Sequence, residues 1–329
     1  MKTAMATSVP LWVWLATAVA VFTTVVLGVC IGAVYIAPAE IWSTITAQIS
    51  GEKLSENDAY STIIWQLRLP RVLLAFLVGS ILATAGCAYQ GAFRNPLADP
   101  YLLGVSAGAG LGATLIIVHA STARNFYLPV AAFGGALAAV SITYLLGRSA
   151  ISGRSSTALI LAGVAVASVL TAAQTLVQQQ NTDVLREVYT WILGRLSTSG
   201  WGELLVITPY ILICSVVLLR YRRVLDVFSV GDEEAQTMGL PVARARGAII
   251  VAASLGTAAA VSFTGLIGFV GIIVPHILRL VVGSSYRILL PLSVIYGGIF
   301  LVLADILART LLAPQEIPIG VVTALLGAP

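Results

Sequence analysis

Residues 94–110 have the sequence RNPLADPYLLGVSAGAG, and they interrupt two long apolar runs with charged, amide, proline and glycine residues. Pro96 and Pro100 cannot continue a helix without the loss of a backbone hydrogen bond. Gly104, Gly108 and Gly110 follow at the start of the next apolar run. The stretch therefore predicts a tight turn between two apolar helices.

The composition places those helices in a membrane. Of 329 residues, 58% are hydrophobic and 10% are charged, and the mean hydropathy is +0.97. A soluble chain has about 25% charged residues, so no soluble fold of this size could cover so much apolar surface. The basic residues are scattered singly, which excludes a nucleic-acid footprint. Cys30, Cys87 and Cys214 lie far apart in apolar runs and are interpreted as packing residues, not as disulfide or metal ligands.

Apolar runs recur along the chain and predict an all-α, polytopic membrane protein with a single domain over residues 1–329. About ten spans are expected, at residues 9–36, 70–93, 101–118, 127–147, 157–179, 203–220, 247–264, 266–283, 288–312 and from 317 onward. The first run has 28 residues. It exceeds the roughly 7–15 residues of a signal-peptide core, so it is predicted to be a retained first helix.

Two of these spans carry further expectations. The stretch 247–283 is too long for one crossing, and Gly265, Gly268, Gly271 and Pro275 predict two short helices with a tight reversal. The last run rises only about 18 Å after Pro318, against a hydrocarbon core of roughly 30 Å. The final helix is therefore expected to be incomplete.

The charges in the loops predict the orientation. With the N-terminus inside, the outer loops are mixed and lean acidic, whereas the inner loops carry the arginines Arg94, Arg148, Arg154, Arg220, Arg222, Arg223, Arg244, Arg246, Arg279 and Arg287. A basic excess belongs in the cytoplasm. Both termini are therefore expected to be cytoplasmic, with residues 94–100 as a short turn at the inner face.

The longest inner loop, about residues 226–246, contains the sequence SVGDEEAQTMGLPVARARG at 229–247. A helix-favouring stretch opens at Glu233 and stops at Gly239, and Pro241 follows, which is a typical helix ending. A short helix on the inner surface is expected. Its charge pattern alone fits a solvated connector. The spacing E-x-A-x-x-x-G favours the other interpretation, a docking helix for a cytosolic partner.

Six stretches carry a resemblance to a known family. They are QLRLPRVLLAFLVGSILATAG (66–86), NPLADPYLLGVSAGAG (95–110), LILAGVAV (159–166), GFVGIIVPHILRL (268–280), LVLADILAR (301–309) and EIPIGVVTALLGAP (316–329). In these motifs and their order the chain resembles the permeases of the vitamin B12, ferric-siderophore and haem ABC importers, the large type II importers. The resemblance runs from about residue 63 to the end, and the first sixty residues match only in character.

The resemblance implies a division of labour in a bacterial inner membrane. A second permease copy completes a dimer, two cytoplasmic ABC ATPase subunits bind below, and an extracytoplasmic substrate-binding protein delivers the substrate from above. Permeases of this family have no catalytic residue, and ATP and Mg²⁺ are bound by the partner ATPase. The sequence agrees, because it contains no P-loop. GAGLGA (108–113) follows no predicted strand, so close helix packing explains it better than a nucleotide site.

The resemblance also implies roles for residues at the inner face. The turn that contains residues 94–100 and a second turn before the fifth span are expected to form the cytoplasmic gate. A proline-held turn with one apolar plug and small hydroxyls suits a seal on a two-fold axis, whereas the residues alone also fit an ordinary membrane turn. The expected gate residues are Asn95, Leu97, Ser155, Ser156 and Thr157. The expected ATPase-coupling residues are Asp232, Glu233, Glu234, Ala235, Gly239, Leu240 and Pro241.

At the outer face the resemblance implies that Arg68, Arg71 and Arg309 dock the binding protein through its acidic residues. Arg68 and Arg71 are three apart and share a helix face, and no acid close in sequence neutralises them. The alternative is that these are snorkelling side chains at a membrane interface. Asp305 lies four residues before Arg309 and could pair with it, which would weaken the docking role of Arg309.

The substrate is expected to be a large metal chelate, most readily a ferric siderophore, with cobalamin and haem as alternatives. Gln174, Gln178 and Thr323 are predicted to line the pathway, since uncharged polar groups let a polar chelate slide. Interhelical hydrogen bonds are the alternative for the glutamines. His119 and His276 have no partner ligand at metal spacing, so no metal or haem site is expected.

Two other classes of protein stay open at this stage. A secondary transporter needs membrane-embedded carboxylates, and Asp305 is the one acid well inside a predicted span. A polytopic membrane enzyme needs clustered His, Asp or Glu at the interface, and the sequence shows no such cluster. Co-purification of an ATPase subunit would separate the three classes.

Overall fold

The computed structural model describes residues 11–32, 34–50, 59–120, 124–149, 156–197 and 200–328. A π-helical segment, Ile63–Arg68, runs directly into α4. The helices are α1 (Leu11–Cys30), α2 (Pro38–Ser50), α3 (Ala59–Thr62), α4 (Leu69–Phe93), α5 (Val105–His119), α6 (Arg124–Ser149), α7 (Ser156–Gln180), α8 (Leu185–Ile192), α9 (Trp201–Arg220), α10 (Arg222–Phe228), α11 (Asp232–Thr237), α12 (Val242–Thr264), α13 (Val270–Val282), α14 (Tyr286–Thr310) and α15 (Ile319–Gly327).

Seven helical stretches in the described residues are long and apolar enough to cross a bilayer, and α5 and α13 are shorter apolar helices. The seven are α1, the continuous run Tyr60–Phe93, α6, α7, α9, α12 and α14. Each of the ten predicted spans overlaps one of these helices or α15. The predicted class, an all-α polytopic bundle, is confirmed.

Two boundaries differ from the sequence-based expectation. The stretch 247–283 does not hold two short helices, because α12 begins at Val242 and has 23 residues, and only α13 is short. The error arose because Arg244 and Arg246 were placed in the loop. Arg246 lies inside α12 and is buried with hydrogen-bond partners, so its charge does not end the helix. The first run ends at Cys30, and α2 is a separate helix that was not predicted.

Small residues set the packing of the central helix α4, in whose run 83% of the most apolar stretch is buried. A Cβ on Gly79 would collide with the carbonyl oxygen of Gly297 in α14. A Cβ on Gly86 would collide with the backbone of Gly271 in α13. Such contacts let helix backbones approach closely in lipid, where no hydrophobic drive holds helices together.

The same device joins α5 to α6 along Gly104, Gly108 and Gly112, and it confirms the close helix packing expected for GAGLGA (108–113). Gly108 packs against the backbone of Gly135, and Gly112 packs against the backbone of Ala131. Gly104 has another role, because it caps the start of α5 with a φ of +83° that favours glycine. Gly108 and Gly112 therefore form a packing surface, whereas Gly104 is needed for its backbone conformation.

Two irregular segments, residues 94–104 and 265–269, lie beside each other within the bundle. Tyr101 Oη donates to the carbonyl of Ile267 and accepts from its N–H, each at 3.0 Å. A Cβ on Gly271 would meet the ring of Pro100 and would crowd the carbonyl of Leu82 in α4. Leu82 lies eleven residues, or about 16 Å, before the end of α4. The segment after Phe93 therefore folds back along α4, and such irregular backbone is tolerated at membrane depth only where protein buries it.

Helix α7 differs from α4 because its side chains point mainly outward. Only 17% of its most apolar stretch is buried, and Leu161, Val164 and Val169 are exposed. In a membrane protein such an apolar face contacts lipid or another subunit.

Candidate functional site

The segment 94–104, here called the gate turn, has a defined local structure. Arg94 ends α4 in the left-handed region with φ +53°, and the N–H of Asn95 donates to the carbonyl of Gln90 at 3.1 Å. The side-chain oxygen of Asn95 accepts from the N–H of Leu97 at 3.0 Å, an Asx turn. Leu97 is 71% exposed. Asn95 therefore shapes the turn, and Leu97 is the apolar group that the turn presents.

The far end of the gate turn is held by polar contacts to its surroundings. Asp99 Oδ1 accepts from the N–H of Tyr101 at 2.8 Å, and Tyr101 is bound to Ile267 as described above. The hydroxyl of Thr143 in α6 donates to the carbonyl of Leu103 at 3.1 Å. These bonds fix the turn to α6 and to the segment before α13, so the predicted rigidity has more sources than its two prolines.

The second predicted constriction is placed only in part. Ser155 lies outside the described residues, and Ser156 opens α7 with a side chain that is likewise outside the description. Thr157 follows in the first turn of α7 and is exposed. The gate role of these three residues stays a prediction.

The inner loop contains two short helices, α10 and α11, where one was predicted. The predicted ending is confirmed, since Gly239 has φ +82° and the N–H of Leu240 donates to the carbonyl of Ala235 at 3.1 Å. Ala235 is fully buried, whereas Glu233 and Glu234 are exposed. Asp232 and Leu240 are half-buried, and Gly239 and Pro241 are exposed. Helix α11 thus lies on the surface with its two glutamates available to a partner.

Asp232 is bound inward and not outward. Its Oδ1 accepts from Arg246 Nη2 at 2.7 Å, and Arg94 Nη2 lies 3.8 Å from the same oxygen. Arg246 is buried, donates from Nε to the carbonyl of Ala92 at 3.0 Å, and lies 5.3 Å from the centre of the Phe228 ring. The hydrogen bond from Arg246 is the main cause that lowers the pKa of Asp232, so this carboxylate is ionised at neutral pH. This link among Arg94, Asp232 and Arg246, here called the inner cluster, was missed because the end of α4 lies far in sequence from residues 232 and 246.

A groove of about 890 Å³ lies next to α11. It is lined on one side by residues of α11 and the start of α12, among them Gln236 and Arg244. On the other side it is lined by the inner ends of α6 and α7, through Tyr144 and Leu159. The groove therefore separates the inner surface helix from the helix whose first residues are the second predicted constriction.

At the outer face, two of the three predicted docking arginines are buried. Arg68 Nη1 donates to the carbonyls of Val29 at 2.7 Å and Cys30 at 2.9 Å, and Arg68 Nη2 donates to the carbonyl of Val34. Arg309 Nη2 donates to the carbonyl of Gly28 at 3.0 Å. Gly28, Val29 and Cys30 end α1, where carbonyls lack intrahelical partners. Both guanidinium groups therefore cap α1, which favours a structural role, and their docking role stays a prediction.

Arg71 is also paired, with two acids that lie far from it in sequence. Arg71 Nη2 lies 2.8 Å from Asp305 Oδ1, and Arg71 Nη1 lies 2.9 Å from Glu316 Oε1. Asp305 in turn pairs with Arg309 at 3.0 Å, as the sequence-based alternative held. The Glu316 side chain is 50% exposed, so this pair forms the open edge of what we call the outer cluster: Arg68, Arg71, Asp305, Arg309 and Glu316.

The predicted pathway residues are mostly enclosed. Gln174 is buried, and its Nε2 donates to the Thr114 hydroxyl at 3.1 Å, which supports the alternative of an interhelical bond between α5 and α7. Thr323 is fully buried and donates to the carbonyl of Gly320 at 3.1 Å. Gln178 is half-buried. Gln174 and Thr323 are therefore enclosed within this chain, and the pathway role of the three residues stays a prediction.

A cavity of about 670 Å³ at the outer end of the bundle was not predicted. It lies between α8 and the outer ends of α5, α6, α9 and α12, and its charged lining residues are Asp183, Arg186, Glu187, Arg195 and Glu203. The signal in the sequence is the concentration of five charges between residues 183 and 203 in a chain that is otherwise poor in charge. Among the described residues, no group of three His, Cys, Asp or Glu side chains is placed to hold a metal ion.

Comparisons with known proteins agree with this architecture. The model of the FecCD transport family matches residues 19–329. The chain is 40% identical to the uncharacterized ABC transporter permease protein YvrB of Bacillus subtilis over 309 residues, which is 93% of this chain and 88% of YvrB. It is 42% identical over 296 residues to the cobalamin import system permease protein BtuC of Halobacterium salinarum, covering 90% of this chain and 75% of that protein. The hemin transport system permease protein HmuU of Yersinia pestis is 40% identical over 309 residues, with coverage of 91% and 87%.

The fold has a solved counterpart. An ABC transporter assigned to the metal-chelate type, solved in an inward-facing conformation, superposes with a TM-score of 0.85 at 29% identity and covers 97% of both chains. Three findings point to the same family: the family match over most of the chain, the relatives at 40% identity or more, and the helical bundle. This multi-pass membrane protein therefore belongs to the FecCD transport family of ABC transporter permeases.

Proposed function

We propose that this chain is the translocation subunit of an ATP-driven importer and that its substrate is a metal chelate. The observation that carries the proposal is the inner face, where the surface helix α11 is bonded through Asp232 and Arg246 to the end of α4, at the gate turn. An element that a cytosolic ATPase could move is thus bonded to an element that could close a pore. The names of the relatives support the substrate class, because they include cobalamin, hemin and Fe(3+)-citrate permeases.

The proposed assembly is a dimer of this chain with two ATPase subunits at the inner face and a binding protein at the outer face. The exposed apolar face of α7 is a suitable surface for the second copy, since few of its residues are buried within one chain. ATP and Mg²⁺ belong to the ATPase, because the chain has no P-loop. The termini are placed in the cytoplasm, on the loop-charge argument. A ferric siderophore is the proposed cargo, with cobalamin and haem as the alternatives that the experiment separates.

Secondary transport is not favoured by the outer cluster. Asp305 is the acid that such a mechanism would use, and it is 1% exposed and paired with both Arg71 and Arg309. Both oxygens of this carboxylate are bonded to guanidinium groups of the same chain, so it offers no open position for a coupling ion.

The test is to purify the tagged chain from its native membranes in a mild detergent and to reconstitute the complex in proteoliposomes. We expect a P-loop ATPase subunit in stoichiometric amount and uptake of one probe that requires ATP and the binding protein. The probes are ferrichrome, cyanocobalamin and haemin, offered separately. Uptake that is driven by an ion gradient without ATP, or a purified chain with no ATPase subunit, would contradict the proposal.

A further inference from the structure

The inner cluster joins three elements that the proposed function requires to move together. Asp232 is the first residue of α11, Arg246 lies in the first turns of α12, and Ala92 and Arg94 flank the end of α4. The carbonyl of Ala92 is among the last four of its helix, so it lacks an intrahelical partner, and Arg246 Nε supplies one. The other side of the same guanidinium binds Asp232 at 2.7 Å. One buried side chain therefore holds the inner surface helix and the start of the gate turn at once.

We propose that Asp232 and Arg246 are the positioning residues that transmit movement of α11 to the gate turn, and that Asp232 acts within this chain and not as a contact for the ATPase. The proposal rests on the proposed function and adds to it the route of coupling. Glu233 and Glu234, which are exposed, remain the acids of α11 for the partner.

The backbone conformation at the start of the gate turn makes the turn sensitive to movement of α11. Arg94 adopts φ +53°, a left-handed conformation that is strained for a non-glycine residue. Strained residues persist only where their surroundings hold them. The side chain of Arg94 points to Asp232, with 3.8 Å between Nη2 and Oδ1, so the acid stabilises the residue that begins the turn. Displacement of Asp232 withdraws that support next to Asn95 and Leu97.

The geometry also limits how far α11 can move alone. Arg246 is 7% exposed, and the aromatic ring of Phe228 in α10 lies 5.3 Å from its guanidinium carbon. A planar, charged group in such a place keeps its bonds in a fixed fork. Small shifts of α11 are therefore passed to α4 and are not absorbed by a flexible side chain.

The experiment compares the assembled complex of the wild type with Asp232→Asn, Arg246→Met and the double variant in proteoliposomes. The measured quantity is the number of chelate molecules taken up per ATP hydrolysed, with whichever of ferrichrome, cyanocobalamin and haemin the wild type transports. We expect each single variant to lower this ratio about tenfold, within the range of about 5- to 150-fold for coupling between sites. The double variant should be no worse than either single one, since one link is broken in all three. Asp232→Glu should restore most of the ratio.

Arg287→Gln is the matched control. It removes another inner-face ion pair, Arg287 with Asp226 at 3.2 Å, which contains no residue of α11 or of the gate turn. The control should keep the wild-type ratio. The proposal is overturned if Asp232→Asn keeps the wild-type ratio, or if its main effect is loss of the ATPase subunit from the complex, since Asp232 would then be a docking contact.

A second measurement does not depend on transport. Spin labels on Pro96→Cys and Gln236→Cys, both exposed positions, report the distance between the gate turn and α11 in the purified complex. We expect the distance distribution to broaden in Arg246→Met and to stay narrow in Arg287→Gln. An unchanged distribution in Arg246→Met would overturn the link even if transport is confirmed. If the wild type takes up no chelate with ATP, the proposed function fails, while this measurement still tests the link.

Discussion

The outer and inner clusters use arginine in the same way and differ in where the acid lies. In both, a buried guanidinium donates to carbonyls at the end of a helix: Arg68 and Arg309 cap α1, and Arg246 caps α4. The outer acid, Asp305, is 1% exposed and belongs to the long helix α14. The inner acid, Asp232, is 28% exposed and belongs to a surface helix of six residues.

This difference indicates that the outer cluster stabilises the bundle, whereas the inner cluster can transmit movement. The outer cluster joins α1, α4 and α14, helices of one bundle, so its bonds add rigidity. The inner cluster joins the bundle to an element that protrudes from it, so its bonds can carry displacement. An arginine at a helix end therefore has a function that depends on its acidic partner, and its sequence position alone does not reveal it.

The largest effect on stability is expected where the bonds of the outer cluster to α1 are removed. Arg68→Ala removes the donor to the carbonyls of Val29, Cys30 and Val34. The Cys30 carbonyl keeps the N–H of Ile36 and Val34 is exposed, so the main loss is at the buried Val29, at a cost of about 1–3 kcal/mol. We expect the free energy of unfolding to fall by about 1–3 kcal/mol, measured as a lower thermal midpoint of the detergent-purified protein. Arg287→Ala, at a half-exposed position, should shift the midpoint little. If Arg68→Ala keeps its midpoint and only weakens binding-protein affinity, Arg68 is a docking residue after all.

The class of fold could be predicted from the sequence, because each membrane-spanning helix is marked by the hydrophobicity of its own residues. Spans, the turn at 94–100 and the ending of α11 at Gly239 all follow from short stretches of residue types. The partners of charged residues do not, since Arg71 meets Glu316 across 245 positions and Arg246 meets Ala92 across 154. Arg246 shows the consequence, because a charge that a distant carbonyl satisfies looked like the end of a span.

The next effect concerns the end of α11. It tests whether coupling needs the left-handed backbone of Gly239. Gly239 has φ +82°, and open space surrounds the position where a Cβ would lie, so only the backbone opposes a side chain there. Gly239→Val should cost about 1–2 kcal/mol locally and reduce ATPase co-purification. Gly239→Asn is the matched control, since asparagine tolerates this conformation. Equal losses in both variants would mean that the surface contact, not the backbone, fails.

A smaller effect distinguishes the two residues of the gate turn. Asn95→Ala removes the Asx bond to Leu97 and should cost about 1 kcal/mol of stability, as for other side-chain caps. Leu97→Ala removes an exposed side chain and should leave the thermal midpoint unchanged within about 0.5 kcal/mol. Both variants should retain an encapsulated chelate less well than the wild type in proteoliposomes. Full retention in both would contradict the gate assignment.

The smallest effect is expected at the open edge of the outer cluster, where Glu316 holds Arg71. If the binding protein docks through an acid, that acid must replace Glu316, because Asp305 already occupies the other side of the guanidinium. An exposed ion pair is worth about 0.2–1 kcal/mol, so Glu316→Gln should tighten docking by about 1.4- to 5-fold. The gain should shrink in high salt, which screens exposed charges.

The matched variant, Arg71→Gln, leaves Glu316 in place and removes the cation, so it should weaken docking where Glu316→Gln strengthens it. The measurement is binding-protein affinity for the reconstituted complex at low and high salt, beside ATP hydrolysis without binding protein, which Glu316→Gln should leave unchanged. Opposite signs in the two variants would show that Glu316 competes for Arg71. Weaker docking in both would show that the pair acts as a unit, like the buried part of the outer cluster. The binding protein would then dock at residues outside the outer cluster.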